Sequence, residues 1–262
     1  MYKKIYDFCK VKNSGGAHKN GLKYSNRIDW IINLLKSNKI DYEIDEFEIF
    51  RFPNNKFYNI ILPGDSGKFV TAHHDVVNIN SDNANDNSAS VINAIMTKIL
   101  SPETTVILLD AEEPPMMGVG SQRASEMINV GKYGKCDWIL NFELTGKGGE
   151  NFFIGNYGNT LNNHIKNLFN CPVVQTPFND ANIFNKNGLI STVINPLPIL
   201  SEKSSYRDYN DELLTHNGHY LDFSIVYNCH SIRDSVDTID PKDMQDFVEK
   251  VVMKILSGIS NS

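Results

Sequence analysis

Short apolar runs alternate with amphipathic stretches along most of this chain. Ile28, Ile31, Ile32 and Leu35 recur at helical spacing, so a helix capped by Ser25 is predicted to run to about Ser37. Asp41 to Phe50 and Lys56 to Leu62 read as strands joined by a turn at Pro53-Asn54-Asn55, and Lys68 to Ala72 reads as a third. Asn78 to Ser88 is polar and loop-like. Ala89 to Leu100 then buries Ile92, Ile95, Met96 and Ile99 on one helical face until Pro102 stops it. Val106 to Leu109 and Trp138 to Phe142 are apolar enough to be buried strands, with a helix over Ser121 to Asn129 between them.

Beyond them the pattern predicts a helix over Asn159 to Asn170, a strand over Pro172 to Gln175, a short helix over Asp180 to Lys186 and a strand over Leu189 to Ile194. Pro196 to Leu221 is polar, tyrosine-rich and irregular, and is expected to fold over the functional site as a long loop. Ser224 to Cys229 reads as a short strand. The last element is a helix with Asp240 as cap, Pro241 in the first position and an apolar stripe of Met244, Phe247, Val248, Val251, Val252 and Ile255. Strands alternating with helices predict an α/β fold, a three-layer α/β/α sandwich around a central mixed, mainly parallel sheet. No repeat or linker interrupts the 262 residues, so a single domain over 1–262 is expected.

Composition narrows the partners. With 41% hydrophobic and 21% charged residues, a net charge of -6 and no basic cluster, the chain is not expected to bind nucleic acid. No apolar run reaches the length of about 20 residues that spans a membrane, and Met1 to Lys12 lacks the apolar centre of a secretory leader. A cytoplasmic protein is expected. Cys9, Cys136, Cys171 and Cys229 lack the paired spacing of a zinc knuckle and are expected to be reduced thiols.

The candidate chemistry lies where the predicted strands end, the edge at which open α/β sheets bind ligands. His73, Glu112 with Glu113, Glu143 and His230 each follow a predicted strand, and Asp86 stands in the polar loop before a helix. Imidazole with carboxylate suits zinc. Two zinc ions a few ångströms apart need a bridging carboxylate, a role open to an aspartate from a loop.

Five motifs then appear in one order. They are Thr71-Ala72-His73-His74-Asp75, Asn85-Asp86-Asn87-Ser88-Ala89, Asp110-Ala111-Glu112-Glu113 with Gly118 and Gly120-Ser121, Asn141-Phe142-Glu143-Leu144-Thr145-Gly146, and His230-Ser231-Ile232-Arg233-Asp234-Ser235-Val236-Asp237-Thr238. Together they resemble the co-catalytic zinc exopeptidases of the bacterial leucyl aminopeptidase type, a family that includes glutaminyl cyclases and transferrin-receptor-like proteins. The resemblance runs from about His73 to the C-terminal helix.

It implies two zinc ions per chain. His73, Asp86 and Glu143 would hold one, and Asp86, Glu113 and His230 the other, with Asp86 shared. Asp75 would orient His73, and Glu112 would be the general base that takes a proton from zinc-activated water and passes it to the leaving amine. The substrate would be a peptide or aminoacyl compound, and the activity that of an aminopeptidase. A single-zinc, glutaminyl-cyclase-like acyltransferase and a non-catalytic module of the same fold are the alternatives. The chain departs from the family pattern in four places: Glu143 replaces an aspartate, Pro114-Pro115 a Leu-Gly, Ser90 a glycine, and Ala181 the histidine of a Ser-Asp-His. Nothing comparable to a lid domain separates Glu143 from His230. Side-chain preference and oligomeric state do not follow from these motifs.

Overall fold

A computed structural model describes residues 1–11, 26–50, 52–77, 80–176, 178–201, 207–208 and 212–258. Two helical turns, Tyr2–Lys4 and Ile5–Phe8, precede α1 (Asn26–Ser37). The cap assigned to Ser25 lies outside the described residues. Next come β1 (Glu43–Ile49), β2 (Phe52–Leu62), β3 (Lys68–His73), α2 (Ser90–Leu100), β4 (Thr105–Leu109), α3 (Val119–Asn129) and β5 (Trp138–Phe142). The second half holds β6 (Phe152–Gly155), α4 (Thr160–Phe169), β7 (Val173–Val174), α5 (Asp180–Lys186), β8 (Ser191–Pro196) and three short strands, β9 (Ile199–Leu200), β10 (Thr215–His216) and β11 (His219–Leu221). It closes with α6 (Ser224–Asn228) and α7, which passes through Pro241–Asp246, Phe247–Val252 and Met253–Gly258 without a break.

Eight strands form the central sheet in the order β1-β2-β4-β3-β5-β8-β6-β7. The middle four, β4, β3, β5 and β8, are mutually parallel, while β2 and β6 flank them antiparallel. Alternation along each strand feeds two cores. Val70, Ala72, Val106, Leu108, Leu140 and Phe142 face α1, α2 and α7. Phe69, Ile107, Leu109 and Ile139 face Ala124 and Ile128 of α3 and Phe184 of α5. The result is the expected α/β/α sandwich with a mixed, mainly parallel sheet. Because the middle strands are parallel, their carboxyl ends share one edge. Among the described residues, no helix is long and apolar enough to cross a membrane.

Four elements depart from the sequence reading. The β1–β2 turn comes earlier than Pro53-Asn54-Asn55, because Ile49 already pairs with Phe52 and Phe47 with Phe57 across a register shift at Glu48/Ile49. The cross-strand pairs outweigh the local turn signal. Ser224 to Cys229 is a helix rather than a strand: Asp222 Oδ1 accepts the Ser224 amide hydrogen at 3.0 Å, and the run is too short for periodicity to separate the two. β6 is a strand that the pattern did not reveal, because it is buried on both faces and shows no alternation. Finally, the described residues of the Pro196 to Leu221 region are not a plain loop: strands β9, β11 and β10 form a small sheet, and Leu214 and Leu221 pack against Leu144 and Phe153.

Candidate metal centre

β3 delivers His73 to the shared sheet edge, and the chain turns at once through His74 and Asp75. All three are buried. The His74 amide donates to Leu109 O at 2.8 Å, and its Nε2 lies 2.9 Å from Tyr58 O. Burial lowers the His74 pKa to about 4, so it is a neutral packed histidine. Asp75 ties this strand to the next. Its carboxylate accepts the amide hydrogens of Glu112 at 3.2 Å and Glu113 at 3.0 Å, and lies 3.5 Å from His73 Nδ1.

The acidic turn after β4 is built around Asp110, which points away from the site and accepts from the amides of Tyr58 (2.8 Å) and Ala111 (2.9 Å). Ala111 takes a left-handed conformation (φ 58°), and the Gly118 amide closes the turn onto Ala111 O and Glu112 O. Gly120 passes so close that a Cβ there would lie 1.8 Å from Asp110 O. Glu112 and Glu113 therefore project together into the cleft.

Asp86 comes from the loop entering α2, and its backbone is held from across the site. Asp234 accepts the amide hydrogens of Asn85 (2.8 Å) and Asp86 (3.0 Å). Asn85 Oδ1 accepts from the Gly146 amide at 2.8 Å. Asn87 Nδ2 donates to Phe142 O and Glu143 Oε2 at 3.0 and 3.1 Å. The peptide bond between Asp86 and Asn87 is cis. Glu143, just past β5, also receives Asn141 Nδ2 at 3.0 Å on its other oxygen. His230 follows α6 in a left-handed conformation (φ 60°).

Six side chains converge. His73 Nε2 lies 3.2 Å from Asp86 Oδ1, 3.6 Å from Glu143 Oε2 and 3.9 Å from Glu112 Oε2. His230 Nε2 lies 3.0 Å from Glu113 Oε2 and 3.2 Å from the second Asp86 oxygen, Oδ2. Asp86 thus presents one oxygen to each imidazole. The longer arm of Glu143, compared with the family's aspartate, still reaches the His73 side.

The electrostatics are those of a site short of positive charge. Burial holds the Glu112 carboxyl well above its usual range, with His73 opposing and Asp180 and Glu143 reinforcing. Burial and Asp86 push Glu113 up to about 7. His230 is raised to about 10 by its hydrogen bonds to Asp86 and Glu113. For Asp86, burial acts upward, but the hydrogen bonds and charges of His230 and His73 prevail and hold it below the carboxylate range. Ligand atoms of His73, Asp86 and Glu113 all lie within 4.8 Å of one another. Donors arranged tetrahedrally on zinc at 2.0–2.1 Å stand about 3.3 Å apart, so the observed separations and the N/O donor set fit zinc.

The site opens into a cleft of about 540 Å³ whose apolar walls include Phe153, Ile183 and Val193. The structure brings together His73, Asp75, Asp86, Glu112, Glu113, Glu143 and His230. It adds three whose work was not foreseen. Asp234 holds the Asp86 loop. Fully buried Arg27 donates to His74 O (2.8 Å) and Ser88 Oγ (3.0 Å), joining the two loops behind His73 and Asp86. Asp180, at the start of α5, is pushed up to about 7 by burial, against the pull of His73 and with Glu143 adding to the rise. Of the other side chains, His216 is buried, its ring centroid 5.9 Å from that of Phe152. Arg123 pairs with Asp45 at 2.7 Å.

Comparison with known proteins agrees with this geometry. The profile of peptidase family M28 matches residues 62–255. No curated protein sequence matches. Among solved structures, the LapA aminopeptidase of Legionella pneumophila is similar with a TM-score of 0.68 at 14% identity, over 100% of this chain and 71% of that one. The glutaminyl cyclase of Porphyromonas gingivalis gives a TM-score of 0.70 at 16% identity, covering 98% of this chain and 97% of that one. The zinc aminopeptidase BSAP of Bacillus subtilis gives 0.57 at 18% identity, over 80% and 52%. With a match over most of its length, the chain belongs to peptidase family M28 and, through it, to the zinc metallopeptidase-like hydrolases.

Proposed function

We propose that the protein is an aminopeptidase that hydrolyses N-terminal peptide bonds with two zinc ions per chain. The observation that carries this reading is the two-sided placement of Asp86, 3.2 Å from Nε2 of His73 through one oxygen and of His230 through the other. A carboxylate so placed is suited to be shared by two cations that would otherwise repel. His73, Asp86 and Glu143 would hold one ion, and Asp86, Glu113 and His230 the other. Bound zinc would supply Lewis-acid polarisation of the scissile carbonyl and acidify a water. Glu112, raised by burial and not required as a ligand, accepts the proton from the attacking water and returns it to the departing amine. Asp75 keeps the His73 ring in place and fixes the backbone from which Glu112 projects. The substrate is a peptide or aminoacyl compound; a cytoplasmic setting without nucleic-acid or membrane partners belongs to the same proposal.

A second reading, cyclisation of N-terminal glutamine with one zinc, draws on the end-to-end correspondence with the Porphyromonas gingivalis glutaminyl cyclase fold. Titration of metal-stripped protein with zinc, alongside mass analysis of treated peptides, separates the two. Two tight equivalents that are reduced in Asp86→Ala, with release of N-terminal residues, are expected. One equivalent with pyroglutamyl products would favour the cyclase. Zinc binding with neither product would favour a non-catalytic module.

A further inference from the structure

One polar side chain in the cleft has an unused acceptor. Asn195 is 5% exposed, and its Oδ1 has no hydrogen-bond partner among the described residues. It lies in β8, two residues from Val193 and directly opposite Phe153 of β6, so the three share one face of the sheet, and all three line the cleft. The preceding residue, Ile194, accepts the amide hydrogen of Glu143 at 3.2 Å, which sets Asn195 beside the metal-ligand candidates. The other polar groups of this wall are mutually satisfied: Tyr157 Oη bonds to Thr176 Oγ1 and Asn179 Oδ1 at 3.0 Å each. A lone carboxamide therefore stands on an otherwise apolar floor. Its O and N are interchangeable by a flip, so it can offer either an acceptor or a donor.

We infer that Asn195 reads the side chain of the substrate's N-terminal residue and selects an uncharged one with a hydrogen-bonding tip, a carboxamide above all, over its alkyl isostere. This rests on the aminopeptidase reading. An alkyl group seated on this floor would leave the amide buried and unpaired, whereas a carboxamide pairs with it. Acidic side chains find no complement, since among the described residues no lysine or arginine lines the cleft and four carboxylates do.

The test uses the zinc-loaded protein and isosteric pairs of 4-nitroanilides, glutaminyl against norleucyl and asparaginyl against leucyl. It also measures binding of the corresponding aminoacyl amides by thermal shift. In the wild type, the carboxamide member of each pair is expected to exceed its alkyl partner by about tenfold or more in kcat/KM and in affinity. In Asn195→Leu the order should reverse, and in Asn195→Ala the preference should vanish. Alkyl members equal to or better than carboxamides in the wild type would overturn the inference, as would a loss in Asn195→Leu of the same factor for every substrate. Binding that keeps the preference while no anilide is hydrolysed would sink the aminopeptidase reading and leave the assignment of Asn195 standing. Hydrolysis without the preference would do the reverse.

Discussion

Asp234 holds Asp86 by its backbone: the buried Asp234 carboxylate accepts the Asp86 amide hydrogen at 3.0 Å and that of Asn85 at 2.8 Å. Asp234→Ala would strand two buried donors, each costing about 1–3 kcal/mol, and free the loop that aims Asp86 at both imidazoles. Zinc affinity is expected to fall roughly 10–100-fold, measured by competition with a chromogenic chelator. Unchanged affinity in a folded variant would mean that Asp86 keeps its aim without this anchor.

Removing the proposed proton acceptor should leave binding intact. In Glu112→Gln, kcat is expected to drop by about 10²–10⁴, while zinc stoichiometry and KM stay near wild type. Steady-state kinetics on an aminoacyl substrate with parallel metal analysis checks this. A matching loss of zinc would reassign Glu112 as a ligand.

Arg27 is buried without a carboxylate at hydrogen-bond distance among the described residues. It donates to His74 O and Ser88 Oγ, and its guanidinium carbon sits 4.0 Å from the Phe8 ring centroid. Burial lowers its pKa to about 10, so the charge persists at neutral pH. Arg27→Met keeps the stem but strands the His74 carbonyl and the Ser88 hydroxyl. It should cost about 2–4 kcal/mol in denaturant unfolding and weaken zinc binding as well. A destabilised protein with wild-type zinc affinity would confine Arg27 to packing.

The metal-free protein should lose stability as pH rises. Glu113, Asp180 and Asp234 are each pushed up to about 7 in the folded chain from ordinary values of 4.5, 3.8 and 3.8. A raised pKa favours the folded state below the unfolded value, and that contribution disappears between about pH 4 and 7. His230, at about 10 against 6.5, continues the trend between those values. The Tm of the stripped protein is therefore expected to fall from pH 5 to 8. The stabilisation added by zinc should grow over the same range, because binding then releases fewer protons. Thermal scans with and without zinc decide it, and a stripped-protein Tm that climbs across this window would contradict the assigned shifts.

Packing behind the acidic turn is equally exposed to test. Gly120→Ala would drive a Cβ into Asp110 O. A loss of about 2–4 kcal/mol is expected, seen as a lower denaturation midpoint with an unchanged slope.

Much of this was legible in the sequence because the chemistry is locally coded. His73 with Asp75, and Asp110 with Glu112 and Glu113, each fit within four residues at the end of a strand, and an open parallel sheet brings such ends to one edge. What was not legible depends on partners remote in sequence. Arg27 meets His74 across 47 residues and Asp234 meets Asn85 across 149, and neither separation leaves a local trace. Asn195 was hidden differently: in a strand, its side chain could face the core or the cleft, and the pairing of β8 with β6 decides which. β6 itself carried no period to detect, and the helix at Ser224–Asn228 was too short to show one.

Asp75 fastens two parts of the site to one carboxylate. The carboxylate beside the His73 ring also receives the amides that carry Glu112 and Glu113, so the orientation of the proposed ligand and the placement of the proposed base are not separately adjustable. Substitutions at positions 73 and 112 should then be strongly non-additive with any change at 75, and a double-mutant cycle through Asp75→Asn would read that interaction directly. A variant enzyme retuned at this centre would have to change the three positions as one block.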